Sequence, residues 1–128
     1  MESWEEVAIA KHQCGITYPN IAIVRVHEDS TVDLYVGSTD VGQGTFIGLA
    51  QIVADEFRIS VQKVRITSSD TLLTPVATGS SGSRQLVQMG LAVAAACRDA
   101  KSKIFRLAAK VLGVSESSLS IAEGIVCS

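Results

Sequence analysis

The 128 residues, 47% of them hydrophobic and 5% aromatic, suffice for one domain with a core of Val, Ile, Leu and Ala, and they exclude a disordered or collagen-like chain. A formal charge of -2, from 11 basic and 13 acidic side chains scattered along the sequence, gives no field to hold a polyanion and argues against nucleic acid as a partner. Glu2, Glu5 and Glu6 stand where a secretory leader needs positive charge, and no apolar run reaches the roughly 20 residues of a bilayer span, so a cytoplasmic chain that neither binds nor crosses a membrane is expected.

In chain order, residues 21–27 are mostly β-branched, and over 31–36 Val32, Leu34 and Val36 alternate with Thr31, Asp33 and Tyr35. With the polar link Glu28-Asp29-Ser30 between them, the two runs predict a β-hairpin. Residues 37–44 have the glycines and short polar side chains of a tight loop. Phe46, Leu49, Ala50, Val53 and Phe57 then recur at the spacing of one helix face. A further strand is expected over 61–67, which makes strand, loop, helix and strand a parallel crossover unit.

Residues 68–83 are too rich in turn formers for a helix or a central strand and predict a second long loop. A second helix is expected over 84–112, with Ser83 capping its start and Gly113 ending it in a left-handed conformation. Gly90 is its weak point, costing about 1 kcal/mol relative to Ala unless it permits a close contact. Residues 119–121 and 125–127 read as a terminal hairpin around Glu123-Gly124. The expected architecture is α+β: a β-hairpin plus a β-loop-α-β crossover, with two helices on a small mixed sheet, forming a single domain over 1–128.

Both loops would leave the C-terminal ends of parallel strands and run into helix starts, which is where open α/β sheets bind ligands. Unpaired N–H groups and the positive end of the helix dipole favour an anion there. In the first loop Gly42 and Gly44 flank Gln43, whose amide suits a ring of mixed donors and acceptors; equally, the two glycines can merely permit a strand-to-helix turn. Neither a P-loop ending nor a dinucleotide fingerprint is present, since the loop closes Gly44-Thr45-Phe46 and position 47 is Ile47. In the second loop Ser81, Gly82, Ser83 and Arg84 offer hydroxyls, mobile amides and a guanidinium fork for an oxyanion, while Arg84 can also be a plain first-turn surface residue.

Asp40 and Asp70, the acids nearest these loops, occupy positions where carboxylates are structural. Neither His12 nor His27 belongs to either loop, so no nucleophile-and-base pair forms. Cys14, Cys97 and Cys127 lack close pairing and read as ordinary thiols in a reducing compartment, not as metal ligands.

The run Gly37-Ser-Thr-Asp-Val-Gly-Gln-Gly-Thr45 with Leu49-Ala-Gln-Ile-Val-Ala-Asp-Glu56 closely resembles the molybdopterin-binding domain of xanthine dehydrogenases, aldehyde oxidases and related molybdenum hydroxylases. Residues 64–71, Pro75, Gly79-Ser-Ser-Gly-Ser-Arg84 and Gly90-Leu-Ala-Val93 resemble the next stretch of the same domain in the same order. Upstream, residues 12–19 resemble it only loosely.

The resemblance implies that Gly42, Gln43 and Gly44 contact the pterin cofactor. Gly82, Ser83 and Arg84 would contact its pyranopterin or phosphate end, with Ser81 nearer the metal. For the parent enzyme it implies hydroxylation of an aldehyde or N-heterocycle with oxygen from water, and electrons passed to iron–sulfur clusters and flavin in other domains or subunits. The family's catalytic glutamate belongs to a later segment, Glu123 is not its counterpart, and the chain alone is expected to be inactive. A non-catalytic anion-binding or interaction module keeping the fold is the alternative. A domain this apolar is expected to meet the remaining domains or subunits of a hydroxylase, or to self-associate.

Overall fold

The computed structural model describes residues 20–77 and 79–128. The β-branched runs form the expected antiparallel hairpin of β1 (Ala22–Val26) and β2 (Val32–Val36), with Val24 opposite Leu34 and Arg25 opposite Asp33. Alternation in β2 sends Val32, Leu34 and Val36 to the buried face, leaving Asp33 and Tyr35 on the other.

The chain then turns through residues 37–44 into α1 (Thr45–Phe57). Its predicted stripe is buried at Leu49, Ala50, Val53 and Phe57, and half-buried at Phe46. Arg58, at a left-handed φ of 53°, ends the helix.

A 3₁₀ turn, Val61–Lys63, leads into β3 (Val64–Ser68), which pairs parallel with β2 so that Val36 lies opposite Ser68. The strand expected from residue 61 therefore begins three positions later. The Ser60 hydroxyl accepts from the Gln62 N–H and holds residues 61–63 in a turn, so local side-chain bonding outcompetes the ladder there. The sheet order β1-β2-β3, with one antiparallel and one parallel pair, is the small mixed sheet of an α+β fold.

The second helix departs from expectation at its start. Ser83 does not cap it: its φ is +59°, beside Gly82 at +57°, whereas a capping serine takes extended backbone. Residues Gln85–Met89 form a π-helical turn, and only then does α2 (Gly90–Leu112) begin. The turn faces Gln85, Gln88 and Met89 inward and leaves Leu86 and Val87 exposed. At the other end Gly113 adopts a left-handed φ of 68° and donates to the Ala109 carbonyl at 2.9 Å, as its position predicts.

Both helices cover the same face of the sheet, and two glycines let them approach. A Cβ on Gly90 would come within 2.9 Å of Ile52 Cδ1, and one on Gly48 within 2.7 Å of Leu86 Cδ1. The conformational cost of Gly90 thus serves a close helix contact. Leu34, Leu49, Val53, Met89 and Val93 are fully buried between sheet and helices, each contributing roughly 1.5–3 kcal/mol by leaving water.

The terminal hairpin, β4 (Ser120–Ala122) and β5 (Ile125–Cys127), forms as expected. Its turn docks on the first hairpin, where the Ser30 hydroxyl donates to the Gly124 carbonyl at 3.2 Å. Cys97 sits in the core, where burial pushes its thiol up to about 12 and makes it a poor nucleophile, whereas Cys127 is exposed. The readings made of Glu2, Glu5, Glu6, His12 and Cys14 fall outside the described residues. Among the described residues no helix is long and apolar enough to cross a membrane.

Candidate functional site

Parallel pairing of β2 with β3 places the two loops side by side, since Val36 and Ser68, the last residues of the two strands, are register partners. Gly37 lies directly against the second loop: a Cβ there would sit 2.3 Å from the Pro75 carbonyl oxygen and 2.8 Å from Ala77 Cβ. The helix starts are neighbours too, because Gly48 in the first turn of α1 abuts Leu86, two residues beyond Arg84. At this end a cavity of about 300 Å³ is lined by Gly37, Ser69, Asp70, Thr71, Thr74 and Pro75, with Val76 and Ala77 beside them. Apart from Gly37, these residues belong to the start of the second loop. From the sequence Asp70 reads as structural and residues 69–77 carry no site role, although the turn formers of 69–75 are a signal for one.

The first loop is bonded to itself. Asp40 Oδ1 accepts from the N–H groups of Gly42 at 2.9 Å and Gly44 at 3.2 Å, and its Oδ2 accepts from Phe46 N–H at 3.2 Å. Those backbone donors, with Gly42 first, hold the Asp40 carboxyl below the usual range. An anion of the protein itself therefore sits where a ligand anion was expected at the start of α1. Gln43 is equally engaged. Its Oε1 accepts from Val41 N–H at 2.7 Å, and its Nε2 donates to the Thr39 carbonyl at 3.0 Å and to Thr45 Oγ1 at 2.8 Å. Gly42 and Gly44, at φ of 104° and 75°, require glycine for the turn, and nothing lies within 4 Å of where either Cβ would point. The backbone there is thus both locked and open to close approach.

The second loop is differently made. Ser81, Gly82 and Ser83 are exposed, and no side chain caps the helix start at Arg84. Arg84 Nε donates to the Ser81 carbonyl at 3.1 Å, which anchors the guanidinium to its own loop. Its Nη groups make no hydrogen bond among the described residues. Asp70 Oδ1 accepts from Leu72 N–H at 2.8 Å and Leu73 N–H at 3.1 Å, a structural turn role like that of Asp40. At the opposite end of β1, His27 Nε2 lies 2.7 Å from Asp33 Oδ2, away from both loops.

Ser38 was not singled out from the sequence, where it is one serine among many. It begins the first loop fully buried, and its Oγ has no hydrogen-bond partner among the described residues. Its carbonyl accepts from the Ser68 hydroxyl, which ties the ends of β2 and β3 together.

The donor set fits a ligand that pairs a polar ring with an oxyanion. Glycine backbone is open at Gly42 and Gly44, while hydroxyls and a half-committed guanidinium stand at Ser81, Ser83 and Arg84. No group of three or more metal-ligating side chains occurs among the described residues.

Residues 6–128 match the family model of the molybdopterin cofactor-binding domain. The chain is 33% identical over 82% of its length to the carbon monoxide dehydrogenase large chain of Afipia carboxidovorans, and 37% identical over 79% to the gamma subunit of the 6-hydroxypseudooxynicotine dehydrogenase complex of Paenarthrobacter nicotinovorans. In both cases it spans 13% of the relative. Among solved structures, it superposes on reconstituted CO dehydrogenase from Oligotropha carboxidovorans with a TM-score of 0.75 at 33% identity, covering 83% of this chain and 13% of that one. Quinoline 2-oxidoreductase from Pseudomonas putida 86 gives a TM-score of 0.74 at 27% identity, covering 82% and 13%. The chain belongs to the molybdopterin cofactor-binding domain family of the molybdenum hydroxylases.

Proposed function

We propose that this chain, as one partial domain over 1–128, holds the molybdenum cofactor of a hydroxylase through Gly42, Gln43, Gly44, Ser81, Gly82, Ser83 and Arg84. The observation that carries this reading is the contrast between the two helix starts. At α1 the position for an anion is filled by Asp40, whereas at the second helix start no side chain fills it and Arg84 keeps guanidinium donors in reserve. A phosphate of the cofactor would take at the second start the place that a carboxylate holds at the first. Gly42 and Gly44 would let the pterin ring approach backbone closely. Gln43 would exchange one of its loop hydrogen bonds for a ring atom, presenting its amide in an orientation already fixed by Thr39 and Thr45.

When bound, the cofactor supplies the redox chemistry of an oxidoreductase acting on an aldehyde or N-heterocycle. This chain's residues bind and orient it, and none of them is assigned a catalytic step. Iron–sulfur clusters and flavin belong to other domains or subunits, and the assembly works in the cytoplasm. The relatives are large chains and subunits of such assemblies, which supports the remaining domains or subunits as partners; self-association is the fallback when they are missing.

A second reading has one observation in its favour: Asp40 and Gln43 already satisfy the first loop, so the fold holds that loop without a ligand, as a non-catalytic module would. Gln43→Ala in the assembly purified from its source separates the two readings. Loss of most bound pterin with the fold retained is expected for the cofactor reading, and undiminished pterin content would refute a role for Gln43.

A further inference from the structure

The two helices enclose a groove of about 550 Å³ that has no part in the loops described above. Its floor is Gly48, Ile52, Gly90 and Ala94, and its apolar flank is Leu86, Val87 and Leu91. Those three flank residues are 50%, 46% and 66% exposed. The π-helical turn creates this flank by carrying Gln85 and Gln88 inward while Leu86 and Val87 face out, the reverse of the pattern that serves a free-standing domain. Contiguous exposed apolar surface of this kind marks an interaction site.

Charge distinguishes the α1 wall further. Glu56 is already held by Lys101 at 2.7 Å and Arg98 at 3.2 Å, whereas the side chain of Asp55, 79% exposed, has only a 3.4 Å contact with Arg58.

We infer that this groove seats an apolar helix contributed by the remainder of the hydroxylase, with a Lys or Arg of that helix opposite Asp55. The inference rests on the reading of the chain as part of such an enzyme. A ridge of side chains on a helix fits between two helices whose own contact is made by glycines, at the interaxial distances of about 8–10 Å that helix packing allows. The relatives supply the length: the chain spans 13% of them, so most of such an enzyme is available to provide the helix. Asp55 selects a basic partner, because a second acid beside it would be repelled.

The test replaces Leu91 with the photo-crosslinker p-benzoylphenylalanine in protein isolated from its source with every co-purifying chain retained, and identifies the linked peptide by mass spectrometry. The expected product joins Leu91 to an apolar segment of hydroxylase sequence outside these 128 residues, with a Lys or Arg in that segment. Linkage to a second copy of this chain, linkage to residues 1–19, or no linkage would each overturn the inference.

Leu91→Glu, at a side chain exposed enough to leave the fold intact, is expected to weaken retention of that partner at least tenfold. Leu107→Glu, 65% exposed on α2 but outside the groove, is expected to leave it unchanged. Equal retention in both variants would also refute the groove. Pterin content is read in the same samples: wild-type protein without pterin that still crosslinks as expected would fault the cofactor reading alone, and pterin-loaded protein that fails to crosslink would fault the groove alone.

Discussion

The two loops at the end of the parallel strand pair share a composition and differ in what their polar groups do. In the first, Asp40 and Gln43 use their side chains on the loop's own backbone, so its shape is fixed before any ligand arrives. In the second, consecutive left-handed residues Gly82 and Ser83 lead into an uncapped helix start with exposed hydroxyls. Glycine and serine content marks both as loops, but only the hydrogen-bond inventory shows that one is a preformed wall and the other a set of open donors. Changes at Gly37 and Asp40 should therefore act on the fold, and changes at Gln43 or in the second loop on the ligand.

The largest expected effect is at the seam between them. Gly37→Ala drives a Cβ into the Pro75 carbonyl and is expected to cost about 1–3 kcal/mol, as overpacking does. Gly79→Ala meets nothing within 4 Å and is expected to stay within about 0.5 kcal/mol of wild type. Urea denaturation of both variants checks the pair, and similar midpoints would mean that the loops are not packed against each other as described.

Of the two helix starts, acid is expected to act on that of α1. Its backbone N–H groups hold the Asp40 pKa below 3.8, so its contribution is complete above 3.8 and is lost as the pH falls through the lower folded value. Amide resonances of Gly42, Gly44 and Phe46 should titrate together below pH 3.8, while those of Ser81 to Arg84 do not follow them. Flat Gly42 and Phe46 resonances over that range would remove Asp40 from its capping role.

The smallest effect falls on the exception within the first loop. Ser38→Ala deletes a buried hydroxyl that has no partner among the described residues, and it is expected to be neutral or stabilising by up to about 1 kcal/mol. A clear loss in thermal unfolding would show that the hydroxyl is satisfied in solution.

Much of the fold was legible because it rests on local periodicity. Alternation of Val32, Leu34 and Val36, the stripe from Leu49 to Phe57 and the stop at Gly113 each reflect a repeat or a backbone preference that the sequence carries directly. The π turn was not legible. Gln85 to Met89 reads as ordinary helix by propensity, and which of its residues face inward is decided by Leu86 filling the notch at Gly48 and by the Asn20 bond to Gln88. Ser83 misled for a related reason, since a capping residue type says nothing of a φ imposed by the strained loop before it. In the candidate site the positions of both loops were readable, and so was the structural character of Asp40 and Asp70. The fold-back of Gln43 onto Thr39 and Thr45 depends on three-dimensional closure and left no trace in spacing.

Binding of the cofactor's anionic end by the second loop is checked most directly by pterin content, thermal midpoint and far-UV circular dichroism measured together on wild type and Arg84→Ala, purified with all co-purifying chains. Loss of at least nine-tenths of the bound pterin with unchanged circular dichroism, and a midpoint lowered only as far as the lost ligand accounts for, is the predicted result. Full pterin content in the variant, or a midpoint that falls while pterin stays bound, would contradict it.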